Sequence, residues 1–419
     1  MEISERFPAL VSRDFTIFWV GQFISLIGTW MQNTTQPYLA YRMTGSPFIL
    51  GLLGFSATLP TLILALPGGV IVERLDKRKT VIIMQFIMMA QAFILAALAL
   101  TGRIQIWHLI LMSFVLGSAN AIEITARQAM LIELVGKPAL PNAIALQSTI
   151  FNLARVIGPS LTAAVLILVT NHGEGWAFFC NGVSFLFVIV SLFFVRTPYK
   201  NLQTREEAKK LNLVTEFKQG WSYIRGNTIV LLIILLAAWI GFFGFPFSQQ
   251  IPAIARDVLH QFTDTESLIQ TRTSALYFAQ GIGALISAVI VSIYSTYNRK
   301  GLLMTIGGFV FAIGLILISF TQSIPMTLVL IGVLGWSMVI QMMMMNTLIQ
   351  LDVPDVLRGR VYSVYLWAIQ GVAPFGSLFI GGLAQAAGIP RAALVAGITC
   401  LLAIVYVFIK WPILRRNIA

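Results

Sequence analysis

The chain has 419 residues, of which 58% are hydrophobic and 11% charged. Water-soluble domains carry roughly 45–50% apolar and about 25% charged residues, so this composition excludes an ordinary soluble fold. The formal net charge is +12, from 28 Lys and Arg against 16 Asp and Glu. In a soluble protein that excess would point to nucleic acid, but its placement along this chain marks topology instead.

The apolar residues gather in blocks long enough to cross a ~30 Å hydrocarbon layer as helices. The first, 15–41, exceeds a signal-peptide core and lacks a small-residue cleavage site, so it reads as a span. It carries Gln22, Ser25, Thr29, Gln32, Asn33 and Gln36 at three- and four-residue spacing, on one helix face. Lipid would leave those amides unsatisfied, so the stripe faces either a water-filled cavity or partner helices. Spans follow at 47–72, 80–101 and 106–127, the last with a stripe of Ser113, Gly117, Asn120, Glu123 and Arg127. Glu123 lies one turn inside Arg127, placed either to carry a proton or to pair with Arg127 or Arg155 as a gate.

The span 143–170 presents Ser148, Asn152, Arg155 and Pro159. Arg155 is the one charged residue deep in a span, about 20 Å from the start of its helix at 1.5 Å per residue. Such a charge is costly in lipid, which leaves two readings: a contact for an anionic group of a substrate, or a structural cation held by carbonyls and carboxylates. With three polar stripes together, a polar cavity in the N-terminal half is the favoured reading. A span at 176–195 closes that half, and the longest hydrophilic stretch follows, from 196 to 226. Its charges, among them Arg205, Glu206, Glu207, Lys209 and Lys210, suit a solvated surface helix.

The second half has spans at 227–251, 271–293, 301–320, 325–349, 359–386 and 389–411. Its polar and aromatic contributions are Trp336, Gln341, Asn346, Trp367 and Gln370, which suit amphipathic ligands without selecting one. Met338 with the run Met342–Met345 reads as flexible core filling rather than a thioether copper site. At an offset of 215, Ser148, Asn152, Arg155 and Pro159 align with Ser363, Trp367, Gln370 and Pro374, as expected of duplicated halves.

These spans total twelve, which puts both termini on one side. That side carries 22 Lys and Arg and the other 5, with Arg155 inside a span. The bias places both termini in the cytoplasm. The expected fold is therefore all-α and polytopic, with an N-terminal six-helix half (1–195), a cytoplasmic linker (196–226) and a C-terminal six-helix half (227–419). Cys180 and Cys400 sit in apolar runs, which leaves no disulfide framework and no Cys-based zinc site. His108, His172 and His260 fall at external loops or span ends, so none serves a membrane proton relay. The sequence contains no G-x-x-x-x-G-K-[ST], H-E-x-x-H or G-x-S-x-G motif. No enzyme activity and no cofactor is expected, and any pumping must draw on an ion gradient or a separate ATPase.

The segment from Gly69 through Glu73, Arg74, Asp76, Lys77, Arg78 and Lys79 resembles the G-x-x-x-D-R-x-G-R-R/K loop of the major facilitator superfamily, with Glu73 for the first acid and Asp76 in place of the second Gly. Further stretches look like the enterobactin-exporter-like branch, the transmembrane secretion effectors that include macrolide efflux proteins. They are Phe18 to Met31, Ala126 to Ala129 with Glu133 to Val135, Leu140 to Ala143, and Asn152 to Pro159. Val156 to Pro159 resembles the Gly-Pro element of antiporters, with Thr162 and Ala163 where flanking glycines are usual. The resemblance implies a monomeric proton antiporter of the bacterial inner membrane that exports amphipathic, drug- or siderophore-like molecules by alternating access.

On this reading Asn152 and Arg155 contact substrate, and Gln32, Asn33 and Gln36 line the cavity with Trp336, Gln341, Trp367 and Gln370. Glu73, Arg74, Asp76, Arg78, Glu123 and Arg127 control the cytoplasmic gate. The expected partners are the lipid bilayer, a small-molecule substrate and protons, with no nucleic acid and no metal. Two other readings stand beside export: a lysophospholipid flippase, for which Arg155 would hold a phosphate, and a non-transporting receptor or scaffold.

Overall fold

The structure, a computed structural model, describes residues 7–169, 172–196, 213–261, 264–293 and 299–410, without the side chains of 65–74, 213–217, 292–293 and 355–356. Among the described residues every long element is a helix and no strand occurs. In chain order these are α1 (Arg13–Thr44), α2 (Pro47–Arg74), α3 (Lys77–Leu100), α4 (Ile106–Leu168), α5 (Gly173–Phe194) and α6 (Leu213–Gly226), followed by α7 (Thr228–Phe243), α8 (Glu266–Ile293), α9 (Lys300–Ile318), α10 (Ile324–Asp352), α11 (Asp355–Ala387) and α12 (Ile389–Lys410). After α7 the chain continues in short turns and a π-helical turn, Ile254–Val258.

Ten helices among the described residues are long and apolar enough to cross a membrane. α1 is not one of them, because the polar stripe read from its sequence lowers its mean hydropathy. α4 runs for 63 residues, about 95 Å at 1.5 Å per residue, roughly three times the hydrocarbon thickness. It is broken at Gly136, whose φ of 73° and ψ of 167° are not helical. That backbone region is essentially restricted to glycine, and Pro138 and Pro141 just beyond it leave two amide donors out of the helix.

The chain forms two compact units, one of Met1–Leu39 with Leu59–Leu211, the other of Ala40–Thr58 with Asn212–Ala419. In the first, α3 packs on both α4 and α5. One apolar cluster there includes Phe15, Phe18, Val81, Met130 and Leu192, and a smaller one Met88, Ala92, Ala119 and Phe185. In the second, α8 and α9 pack on α10, α7 on α11, and α9 on α12. Met344 and Met345 are buried there beside Ile340 and Tyr365, with Met342 and Met343 partly buried against them.

Local chemistry fixes the helix starts that matter below. The Asp76 carboxylate accepts from the Lys79 backbone N–H at 3.0 Å and caps α3. Asn227 caps α7, its Oδ1 accepting from the N–H groups of Ile229 and Val230.

Candidate substrate and gate residues

In the first unit the stripe on α1 meets polar residues of three other helices. Gln32 Nε2 donates to Gln36 Oε1 (3.0 Å) and Gln91 Oε1 (3.3 Å), while Gln32 Oε1 accepts from Asn181 Nδ2 (2.7 Å). Gln36 Nε2 donates to Ser113 Oγ (2.7 Å) and to the Leu109 carbonyl (2.9 Å). Both glutamines are buried, Gln32 completely. This differs from the expectation of cavity-lining amides: in this conformation Gln32 and Gln36 join α1 to α3, α4 and α5. Such contacts are favoured because an unsatisfied amide inside an apolar bundle is costly. Asn33, on the next position round the helix, is exposed.

Arg155 stands apart from that network. Its guanidinium carbon lies 5.0 Å from the centroid of the Trp30 ring and 5.2 Å from that of Phe151. The two rings meet edge to face, 5.7 Å apart. Arg155 is half-buried, and its Nε is buried with no hydrogen-bond partner among the described residues. The close approach of α4 to α1 that creates this arrangement depends on Gly158, where a Cβ would come within 2.5 Å of Trp30 Cβ. Asn152, one turn away, is buried and donates to the Ser148 carbonyl, so its amide is turned along its own helix.

Glu123 is 2% exposed and pairs with Arg127, whose Nε lies 3.0 Å from Oε1. Gln85 Nε2 also donates to Glu123 (3.2 Å), and Arg127 Nη1 donates to Gln147 Oε1 (3.2 Å), which gives a four-residue chain across α3 and both parts of α4. Near the start of α3, Lys77 Nζ pairs with Glu133 Oε1 at 2.5 Å and Arg78 Nη2 donates to the Phe193 carbonyl at 3.2 Å. These contacts tie the loop around Asp76 to the ends of α4's first part and of α5. The side chains of Glu73 and Arg74 lie outside the described residues.

In the second unit Gln341 is buried and donates to the Ser337 carbonyl, so it too differs from a cavity-lining residue. Trp336 is half-buried, whereas Trp367 and Gln370 are exposed on α11. Asn346 donates to the Tyr362 hydroxyl. At the other end of this unit Tyr41 donates to Asp257, and Arg272 bonds Asp264 twice, at 2.5 and 2.9 Å, while also donating to the carbonyls of Ala255 and Leu259. The Arg272 hydrogen bond holds the Asp264 carboxyl below the usual carboxylate range.

The partners Gln85, Gln91, Gln147, Asn181, Trp30 and Phe151 were not singled out from the sequence. Each is a lone polar or aromatic residue whose importance comes from another helix. The signal available was a polar residue inside an apolar run, as at Gln85, Gln91 and Asn181.

A family model described as the transmembrane secretion effector matches residues 4–417. The chain belongs to that family. As a secretion effector it is a multi-pass membrane transporter of the major facilitator superfamily and not an enzyme. It is 22% identical over 388 residues to the macrolide efflux protein A of Streptococcus pyogenes, covering 91% of this chain and 92% of the relative. It is 23% identical to the staphyloferrin A transporter of Staphylococcus aureus (94% and 95% covered) and 24% identical to the enterobactin exporter of Shigella boydii (88% and 85% covered). Solved structures share its fold. A bacterial homologue of the human lysosomal transporter Spinster, inward-facing and unoccupied, gives a TM-score of 0.71 at 14% identity (97% of this chain and 99% of that chain), and a D-xylose-proton symporter 0.70 at 13% (93% and 97%).

Proposed function

We propose that this secretion effector exports amphipathic small molecules, drug- or siderophore-like, by alternating access in exchange for protons. The observation that carries the reading is Arg155: a cation at mid-helix depth, flanked by two aromatic rings and with no carboxylate partner in its own unit among the described contacts. A guanidinium so placed offers charge and planar hydrogen-bond donors to a carboxylate or catecholate, and Trp30 and Phe151 offer faces for an apolar or aromatic body. The efflux direction and the substrate class follow the relatives, whose names specify macrolides, staphyloferrin A and enterobactin.

In this account the chain crosses the plasma membrane twelve times as a monomer, α4 supplying two crossings divided at Gly136 and α1 the remaining one, with both termini cytoplasmic. The halves are 1–195 and 227–419, joined by 196–226. Asn33, Trp367 and Gln370 offer exposed polar and aromatic contacts to the substrate. Gln32, Gln36 and Asn152 in the first unit, and Trp336 and Gln341 in the second, hold the helices that carry them. The Glu123–Arg127 pair, with Glu73, Arg74, Asp76 and Arg78, controls the cytoplasmic gate, and Glu123 is the proton-coupling carboxylate.

The test is uptake of labelled enterobactin and of a labelled macrolide into inside-out vesicles carrying wild type, Arg155→Ala or Arg155→Lys at equal expression. The expected result is transport by wild type, at least about tenfold loss for the alanine variant, as befits one lost charge-assisted contact, and partial rescue by lysine. Equal rates in all three remove Arg155 from the substrate site. No transport of any member of either class by wild type removes the substrate assignment.

A further inference from the structure

The helix α6 stands at the entry to the second unit's first long span and presents a face that export does not use. Its inner side is fixed: Ile224 is fully buried, Gly220 packs against the backbone of Arg360, Gln219 accepts from Arg360, and the Tyr223 hydroxyl donates to the Asp352 carbonyl at 3.2 Å. Lys218, Trp221, Ser222 and Arg225 are all exposed. They stand at i, i+3, i+4 and i+7, which places them on one face of the helix. The Arg225 guanidinium sits over the Trp221 ring, 5.3 Å from its centroid, so cation and indole are held side by side. Among the described residues neither Lys218 nor Arg225 is paired with a carboxylate.

Position identifies the surroundings of this face. Asn227 caps α7, and the apolar run begins at Thr228, three residues after Arg225. Three residues reach at most about 11 Å even fully extended, and the headgroup layer on each side of a bilayer is roughly 5–8 Å thick. Arg225 and Trp221 therefore lie at or beside headgroup depth, where indole rings and basic side chains are most favourable. A stripe with two cations that have no carboxylate partner among the described residues, a hydroxyl and an indole matches a phosphodiester with its glycerol and upper acyl chain: the cations and Ser222 take the phosphate oxygens and Trp221 covers the apolar part.

We propose that the outer face of α6, through Lys218, Trp221, Ser222 and Arg225, is a binding site for an anionic phospholipid headgroup. It is fixed to α10 and α11 through Tyr223 and Arg360, so a lipid seated there adds a restraint to the ends of two helices of the same unit. This assignment stands independently of the export reading.

The test uses the full-length protein in detergent, titrated with phosphatidylglycerol or phosphatidylcholine and examined by native mass spectrometry. Wild type should retain phosphatidylglycerol in preference to phosphatidylcholine. Each basic residue near an anionic surface contributes about fivefold in affinity, so Lys218→Gln with Arg225→Gln should weaken phosphatidylglycerol retention by about 25-fold and leave phosphatidylcholine unchanged. Lys218→Arg with Arg225→Lys should retain the lipid. Arg103→Gln with Arg391→Gln, exposed positions assigned to the opposite side, should behave as wild type. Should the double Gln variant fail to fold, Lys218→Gln alone carries the test, with about a fivefold loss. The proposal is overturned if the Gln variants bind phosphatidylglycerol as wild type does, if both lipids are lost equally, or if inorganic phosphate at equal concentration displaces phosphatidylglycerol.

Discussion

Asp264 and Arg272 are both closed off from solvent, with side-chain exposures of 1% and 7%. Removing one partner of such a pair leaves the other charge without its main compensation, which is destabilising. Arg272→Ala should accordingly lower the unfolding temperature far more than Arg256→Ala, whose partner Glu266 is 40% exposed. The pH dependence has a definite sign. Asp264 is held below its usual value by Arg272, so its contribution is complete above the unfolded carboxyl pKa of about 3.9 and is lost as pH falls through the lower folded value. Thermal unfolding between pH 3 and 7 should show wild type keeping its stability to a lower pH than Arg272→Ala. From the sequence, Arg155 and Glu123 were visible because a charge in an apolar run has no ordinary explanation there. That Gln32 and Gln36 turn to Gln91, Asn181 and Ser113 was not visible, because a polar stripe has the same spacing whether water or another helix faces it.

The long element α4 makes a claim of its own. Gly136 adopts φ 73° and ψ 167°, a conformation that carries about 1–3 kcal/mol of strain for other residues. Gly136→Ala should reduce stability by that amount, read as a lower unfolding temperature in detergent. Gly226→Ala, at a position with open space and no positive φ, should change it little. Equal shifts would place the joint between the two parts of α4 elsewhere. Apolar blocks with Lys and Arg between them made most helices readable from residue order, since hydrocarbon thickness sets their length. Two features resisted that reading. The chain passes from 127 to 143 without leaving helical geometry except at Gly136, because Pro138 and Pro141 fall where the early amides of a helix have no intrahelical partner. Residues 40–58 also pack with the second unit although they belong by sequence to the first half. Tyr41 donating to Asp257 and the Gln250 amide reaching the Pro47 carbonyl show two of the contacts responsible. Contacts between residues about 200 positions apart leave no periodic trace in either segment.

At the scale of the whole molecule, family membership and the shared fold make the chain a membrane transporter, and the central proposal is that it exports an amphipathic drug- or siderophore-like molecule against protons. A proton gradient is the proposed driving force, and Glu123 is the buried carboxylate assigned to it. The most direct measurement is proton flux in proteoliposomes with a trapped pH dye and an imposed pH gradient, with siderophores, macrolides and lysophospholipids added in turn. The account predicts that one siderophore or macrolide class dissipates the gradient in wild type, that Glu123→Gln abolishes the response, and that lysophospholipids have no effect. Substrate crossing the membrane with no proton movement, or an undiminished response in Glu123→Gln, would contradict it.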